Sequence, residues 1–365
     1  MTDLTAHLRA LIRIEGPITV ARYMAEALSH PEHGYYMRGD PLGAAGDFVT
    51  SPEISQVFGE LLGLWTVVTW QAMDRPAAFH LTELGPGRGT LMADALRAMR
   101  QAPEPGAMAA AAIHLVESSP ALRRVQRERL GAQDVHWHDR FWDLPPGPIV
   151  LLANEFFDAL PVHQLERAAE GWRERLVHWD DGRRAFRFVL SGTPSPLAAA
   201  LPEGLRGAAA GTVAEVCPAA IALARDIGER VARDGGAALI IDYGRTDGAG
   251  GATLQSVRRH QSHAPLAAPG DADLTAHVDF AALAGVGRDA GARVHGPVDQ
   301  GEFLCRLGIE ARAERLAAAA GGGQAEDVRR GCRRLIDSAE MGTLFKVMCL
   351  AHPDLPPPAG FEGEP

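Results

Sequence analysis

The chain has 365 residues, enough for one large α/β domain with insertions or for two domains. Hydrophobic residues make up 46% and charged residues 22%, the balance of a folded globular protein and not of a disordered one. The 36 Lys and Arg are outnumbered by 46 Asp and Glu, for a formal net charge of −10; no basic run forms, so no nucleic-acid partner is expected.

Residues 1–75 read as a helical N-terminal cap around a Gly-rich loop. Leu4, Leu8, Leu11 and Ile12 fall at helical spacing, and ITVARYMAEAL after Pro17 repeats it. HPEHGYYMRGDPLGAAGDFVTSPEIS is dense in Gly, Pro and aromatics, and a loop of that length is more often functional than idle. A helix is predicted over 55–70. From His80 the pattern alternates: HLTEL (80–84) is a strand, GPGRG a turn, and TLMADALRAMR (90–100) a helix with Leu91, Ala95, Leu96 and Met99 on one face. AIHLVE (112–117) is a second strand and SPALRRVQRERL (119–130) a second helix. PIVLLANEF (148–156) is apolar on both faces, as a central parallel strand should be.

The regularity breaks over 161–234, which reads as an inserted subdomain. WRERLVHWDD and RRAFRFVL are predicted antiparallel strands around Asp181-Gly182, and LAAALPEGLRGAAAG a connector. A helix over 219–233 leads into the buried strand GGAALIIDYG (235–244). Residues 245–300 read as an irregular insertion, MGTLFKVMCL (341–350) as the last apolar strand, and 351–365 as a flexible tail. Strand, crossover helix and strand at this spacing predict a doubly wound α/β core over 76–160 and 235–350, of Rossmann-like type.

Cys217, Cys305, Cys332 and Cys349 lie far apart with no C-x-x-C pair, so neither a thiolate metal site nor a secreted disulfide framework is expected. The histidine pairs His30/His33 and His260/His263 read as solvated or hydrogen-bonded side chains, and no metal is expected. MTDLTAHLRALIRIEG does not read as a signal peptide, and no apolar run is long enough to span a bilayer. The expectation is a cytoplasmic protein in a reducing compartment, without membrane insertion.

Glu83-Leu84-Gly85-Pro86-Gly87-Arg88-Gly89 sits between strand and helix. Its glycines permit a sharp turn and close approach of a ligand, and the helix behind them offers free N–H groups. A dinucleotide fingerprint needs G-x-G-x-x-G, and here the third glycine comes one residue early; a Walker A loop needs a lysine that is missing. S-adenosylmethionine carries a carboxylate and an ammonium in place of phosphates. Glu83 suits the ammonium and the turn N–H groups suit the carboxylate; the alternative is an ordinary tight turn. Glu117, at the end of the second strand, is where the ribose hydroxyls of a nucleoside cofactor lie in such sheets. Asp139 in VHWHDRF reads either as a partner for the adenine amino group or as a solvated loop acid.

The third strand runs into Asn154-Glu155-Phe156-Phe157-Asp158-Ala159-Leu160-Pro161. Carboxyl ends of strands line the ligand crevice in open α/β sheets. Asn154, Glu155 and Asp158 are therefore the candidate acceptor and catalytic residues, Phe156 and Phe157 excluding water. A guanidinium, a planar fork of donors, matches paired carboxylates. The other reading is a helix N-terminus decorated with acids.

GPITVARYM, HPEHGYY, GDFVTSPEISQVFGE, ELGPGRGTLMAD, LVESSPALRRVQ, ANEFFDALPVHQ, IIDYG, DLTAHVDF, QGEFLCRLGI and MGTLFKVM occur in that order along nearly the whole chain. In these segments the sequence resembles the family of mitochondrial complex I assembly factor 7 and its bacterial MidA-like relatives. The resemblance implies a seven-stranded class I methyltransferase core using S-adenosyl-L-methionine. It implies Glu83, Gly85, Pro86, Gly87, Gly89 and Glu117 at the cofactor, with Thr50, Ser51 and Pro52 in a cap over it. It places Asn154, Glu155 and Asp158 at the acceptor. It further implies symmetric dimethylation of a protein arginine on a hydrophilic-arm subunit of complex I, in support of assembly. Two alternatives are a methyltransferase of another amine or protein side chain, and a non-catalytic assembly chaperone that retains the fold.

Overall fold

The computed structural model describes residues 3–38, 49–104, 106–248, 250–258 and 261–362. Its described residues divide into two compact units: one within Met1–Phe48, Asp158–Ala222 and Arg245–Ala281, the other within Val49–Phe157, Leu223–Gly244 and Ala282–Pro365.

The second unit holds the α/β core. Its strands are β1 (Phe79–Leu84), β2 (Ala111–Val116), β3 (Val135–His138), β4 (Ile149–Asn154), β5 (Gly236–Arg245), β6 (Arg293–Asp299) and β7 (Phe345–Ala351). They lie side by side in the order β6-β7-β5-β4-β1-β2-β3. The β5/β4, β4/β1, β1/β2 and β2/β3 pairs are parallel, whereas β7 runs antiparallel to both β5 and β6. The chain winds outward from β1 in one direction through β2 and β3, then returns to β4 on the other side of β1. The switch point for a ligand is therefore at the carboxyl ends of β1 and β4.

Hydrophobic pattern explains the sheet. Every residue of β4 is buried, and Leu81, Leu152, Leu239 and Val347 meet in one core with Leu91, Leu96 and Met99 of helix Thr90–Gln101. Helix Gln56–Ala72 packs on that helix; Ser55 caps it by accepting from the Val57 N–H at 3.3 Å. A Cβ at Gly63 would lie 2.4 Å from the Ala95 carbonyl oxygen, so glycine sets how closely the two helices approach. This helix belongs to the core unit, and the boundary expected near residue 75 falls at 48/49.

Two further expectations are corrected. The stretch 245–300 is not irregular throughout: it contains helix Phe280–Asp289 and β6, and helices Gln300–Arg306, Ile309–Ala319 and Gly322–Ile336 follow. The tail is not loose up to residue 362. Phe361 is fully buried beside Phe303, Trp65 donates from Nε1 to the Ala359 carbonyl at 3.1 Å, and Arg306 donates to the Gly360 carbonyl at 3.0 Å. One aromatic anchor holds a segment whose Pro/Gly/Glu composition reads as disordered.

The first unit packs helices Asp3–Glu15 and Val20–Ser29 around Leu4, Leu8, Tyr23 and Met24, with Val177 and Trp179. The predicted hairpin is present as strands Gly171–Asp180 and Ala185–Pro194, with Asp180 opposite Ala185. Strands Ile18–Thr19, His163–Ala168 and Val213–Val216 complete that sheet. The N-terminal helices and most of the predicted insertion thus form one unit, although a core segment separates them in sequence.

Candidate active site

β1 delivers Glu83 and then the glycine turn. Gly85, Gly87 and Gly89 have φ of +59°, +51° and +77°, backbone that side chains with a Cβ rarely adopt. The turn is closed by Gly85 N–H to the Val116 carbonyl (3.0 Å) and Gly89 N–H to the Pro86 carbonyl (2.7 Å). A Cβ at Gly85 would sit 2.7 Å from Cδ2 of Phe156, so the turn and the loop after β4 are in direct contact. Glu83 is 3% exposed and accepts from the Met92 N–H. Burial, reinforced by the neighbouring Glu117 carboxylate, pushes its pKa up to about 8.

Glu117 is also buried, and burial raises its pKa. It accepts from the Ser119 N–H at 2.7 Å and from Gln126 Nε2 at 3.2 Å, while Gln126 also donates to the Gly87 carbonyl at 2.8 Å. Gln126 therefore ties the turn to Glu117, a residue that sequence reasoning missed. The signal was available: Leu122, Gln126 and Leu130 are the buried positions of helix Pro120–Leu130, four apart, with a polar residue in the middle of an apolar stripe. Asp139 is largely exposed and pairs with Arg123 at 2.7 Å; Arg123 also donates to the Glu117 carbonyl.

Thr50, Ser51 and Pro52 open the short helix Ser51–Ile54, Thr50 being its N-cap residue. They belong to the core unit and not to the cap unit, which corrects the expectation. The Ser51 N–H donates to Glu155 Oε1 at 2.8 Å, and Glu53, also missed from sequence, accepts from Thr90 Oγ1 and lies 3.6 Å from Arg88. This helix bridges the end of β4 and the glycine turn. Gly46, Asp47 and Phe48 of the same sequence motif lie outside the described residues.

Asn154 ends β4, and its Nδ2 donates to Glu155 Oε1 at 2.9 Å. Glu155 has φ +50°, in the left-handed region despite its side chain. Burial raises its pKa, opposed by the Ser51 and Asn154 donors. Asp158 is buried and belongs to the first unit, where its carbonyl accepts from the Ala276 N–H. Among the described residues, Glu83 Oε2 and Asn154 Oδ1 are buried polar atoms without a hydrogen-bond partner. Such atoms are costly unless a ligand or water completes them.

In the first unit, ligand atoms of His7, Glu26 and His30 come within 4.8 Å of one another. However, Glu26 is paired with Arg22 at 2.8 Å, and His30 Nδ1 accepts from the Glu32 and His33 N–H groups. A ligating imidazole donates from its second nitrogen, so this set fits a hydrogen-bonded cluster better than a metal centre. His260 lies outside the described residues.

The glycine turn stands at the switch point of the sheet, where open α/β folds receive their ligands, with Glu83 before it and Glu117 just after the next strand. The chain belongs to the family described as "Putative S-adenosyl-L-methionine-dependent methyltransferase", whose pattern matches residues 61–298. It is similar to the Drosophila melanogaster "Protein arginine methyltransferase NDUFAF7 homolog, mitochondrial", at 41% identity over 98% of this chain and 88% of the relative. With the Homo sapiens "Protein arginine methyltransferase NDUFAF7, mitochondrial" the identity is 38%, over 96% and 83%. A Burkholderia thailandensis protein solved with S-adenosyl-homocysteine superposes with a TM-score of 0.83 at 34% identity, covering 99% of this chain and 92% of that one.

The protein is thus an S-adenosylmethionine-dependent methyltransferase. The cytoplasmic location expected from its sequence is withdrawn, because these relatives are named as mitochondrial proteins. No helix among the described residues is long and apolar enough to cross a membrane.

Proposed function

We propose that the chain methylates an arginine of a protein partner, a hydrophilic-arm subunit of respiratory complex I, to the symmetric dimethyl product. The names of the relatives support the arginine and, by implication, the assembly role. The observation that carries the chemistry is Glu155: a carboxylate at the end of β4, raised in proton affinity by burial and held on Oε1 by two N–H donors.

When bound, the cofactor supplies an electrophilic methyl group on a sulfonium. Glu83 would receive its ammonium, the Gly85–Gly89 turn its carboxylate, Glu117 its ribose hydroxyls and Asp139 its adenine amino group, with Thr50, Ser51 and Pro52 alongside. Asn154 and Glu155, where β4 ends, are the acceptor residues of the core unit; Asp158, the third acid of the same motif, belongs to the first unit. A guanidinium is protonated at neutral pH and a poor nucleophile. Glu155 therefore has two tasks: to align the guanidinium through Oε2, the oxygen not used by Ser51 and Asn154, and to take its proton as the distal nitrogen attacks. Phe156 and Phe157 keep water from the attacking nitrogen.

The test is transfer of label from methyl-labelled S-adenosylmethionine to the isolated complex I subunit, followed by amino-acid analysis. Symmetric dimethylarginine is expected. Glu155→Gln should lower kcat by about 10²- to 10⁴-fold, the usual contribution of a general base, with cofactor Kd nearly unchanged. Label on a lysine or amine, or equal loss of turnover and cofactor affinity in the variant, refutes the reading.

A further inference from the structure

Beyond Asn154 the chain leaves the sheet. The Glu155 N–H still bonds the Ile241 carbonyl of β5 at 2.9 Å, but Glu155 itself turns into the left-handed region. That conformation strains a residue with a Cβ, and such strain persists only where surrounding structure imposes it. The imposing group is Asp242 on the adjacent strand, fully buried. Its Oδ2 accepts from the N–H of Phe156 at 3.1 Å and of Phe157 at 3.0 Å, and its Oδ1 accepts from the Tyr243 N–H at 3.0 Å. Two successive peptide N–H groups pointing at one oxygen are incompatible with a continuing strand, in which they alternate sides. They force the turn.

We propose that Asp242 is the positioning residue of the acceptor loop: by gathering the Phe156 and Phe157 N–H groups it holds Glu155 in its left-handed conformation. There the Glu155 carboxylate meets the Ser51 N–H and Asn154, and Phe156 lies against Gly85. Both Asp242 oxygens are engaged by backbone N–H groups, so its role is to act through Glu155. A carboxyl group suits the place because both of its oxygens accept from backbone N–H groups, whereas an amide offers a single acceptor oxygen. An asparagine keeps the shape but turns an NH₂ toward N–H groups that need an acceptor. The inference rests on the reading of Glu155 as the base.

The experiment compares wild type, Asp242→Asn, Glu155→Gln and the double variant in methyl transfer to the complex I subunit, with S-adenosylmethionine Kd and amide hydrogen exchange measured on each. In Asp242→Asn, kcat is expected to fall about 100-fold, the effect of an ångström-scale misplacement, while cofactor Kd changes far less. Exchange at Phe156 and Phe157 should quicken. In the Glu155→Gln background the second substitution should cost almost nothing more, since the group it positions is already gone. An undiminished kcat in Asp242→Asn, or an equal further loss in the double variant, overturns the proposal. If Asp242→Asn does not fold, Asp242→Glu keeps the carboxyl group and moves it by one methylene; it should show the same split, and wild-type kcat there overturns the proposal. Should wild type transfer no methyl to arginine, the functional reading fails and amide exchange decides the positioning role. Lost protection at Phe156 and Phe157 in Asp242→Asn sustains it, and retained protection ends it.

Discussion

Glu83 makes a quantitative prediction about cofactor binding. With its pKa raised to about 8, the carboxyl of the ligand-free protein is mostly protonated at neutral pH, by simple titration about nine-tenths at pH 7. An arriving ammonium requires the ionised form, as does its buried and unpartnered Oε2, which would then accept. Binding at pH 7 should therefore release about 0.9 proton per cofactor from this group, falling to about half a proton at pH 8. Only the ionised fraction binds tightly, so affinity should rise nearly tenfold from pH 6 to pH 7. Calorimetric titration in two buffers of different ionisation enthalpy, phosphate and Tris, reads the proton count directly from the difference in observed heat. Glu83→Gln should bind more weakly and abolish the buffer dependence. Heats that are identical in the two buffers for wild type would refute the reasoning, because they would mean that Glu83 is already ionised or does not meet the ammonium.

Three further outcomes are expected. Gly85→Ala places a Cβ 2.7 Å from the Phe156 ring on backbone at φ +59°, so S-adenosylmethionine Kd should rise at least tenfold in calorimetry, from about 1–2 kcal/mol of strain plus the displaced ring. His114 is buried in hydrogen bonds to His80 and His138 at 2.9 Å each, and burial with these neighbours holds its pKa at about 3. The unfolded chain takes up this proton near pH 6.5 and the folded chain does not, so stability falls as pH drops from 6.5 toward 3. The loss is on the order of 1 kcal/mol per pH unit; urea melts at pH 7.5 and pH 5 should show it, with a smaller difference in His114→Gln. Phe361→Ala should cost about 3–5 kcal/mol in thermal or urea unfolding, since the ring is fully buried against Phe303; a change within 0.5 kcal/mol or so, usual for surface positions, would mean the tail is not docked.

Short apolar runs set between amphipathic helices were enough to place β1, β2, β4, β5 and β7 to within a few residues, because a strand buried on both faces writes an unbroken apolar run and a helix with one apolar stripe writes its period, both locally. The glycine turn was legible for the same reason: positive φ demands particular residues at particular places. Where local signal was weak, the reading failed. β6 carries a polar pattern broken by Gly296-Pro297, and the helices after Gln300 are dominated by Ala, Gly and Arg. Their burial comes from neighbours distant in sequence.

Sequence by itself determined that this protein has a doubly wound α/β core with a glycine turn between Glu83 and its helix, and the motifs ordered along it placed the chain in its family. Only the tertiary structure decided which side chains meet: Ser51 with Glu155, Glu53 with Arg88 and Thr90, Gln126 with both Gly87 and Glu117, and Asp242 with the loop 86 residues before it. It also decided that segments separated by more than a hundred residues form one unit and that Phe361 fastens the tail. The physical reason is that backbone period and turn conformation are properties of a few consecutive residues, whereas a hydrogen bond between strands, or an aromatic ring in a distant pocket, exists only after the chain has closed on itself.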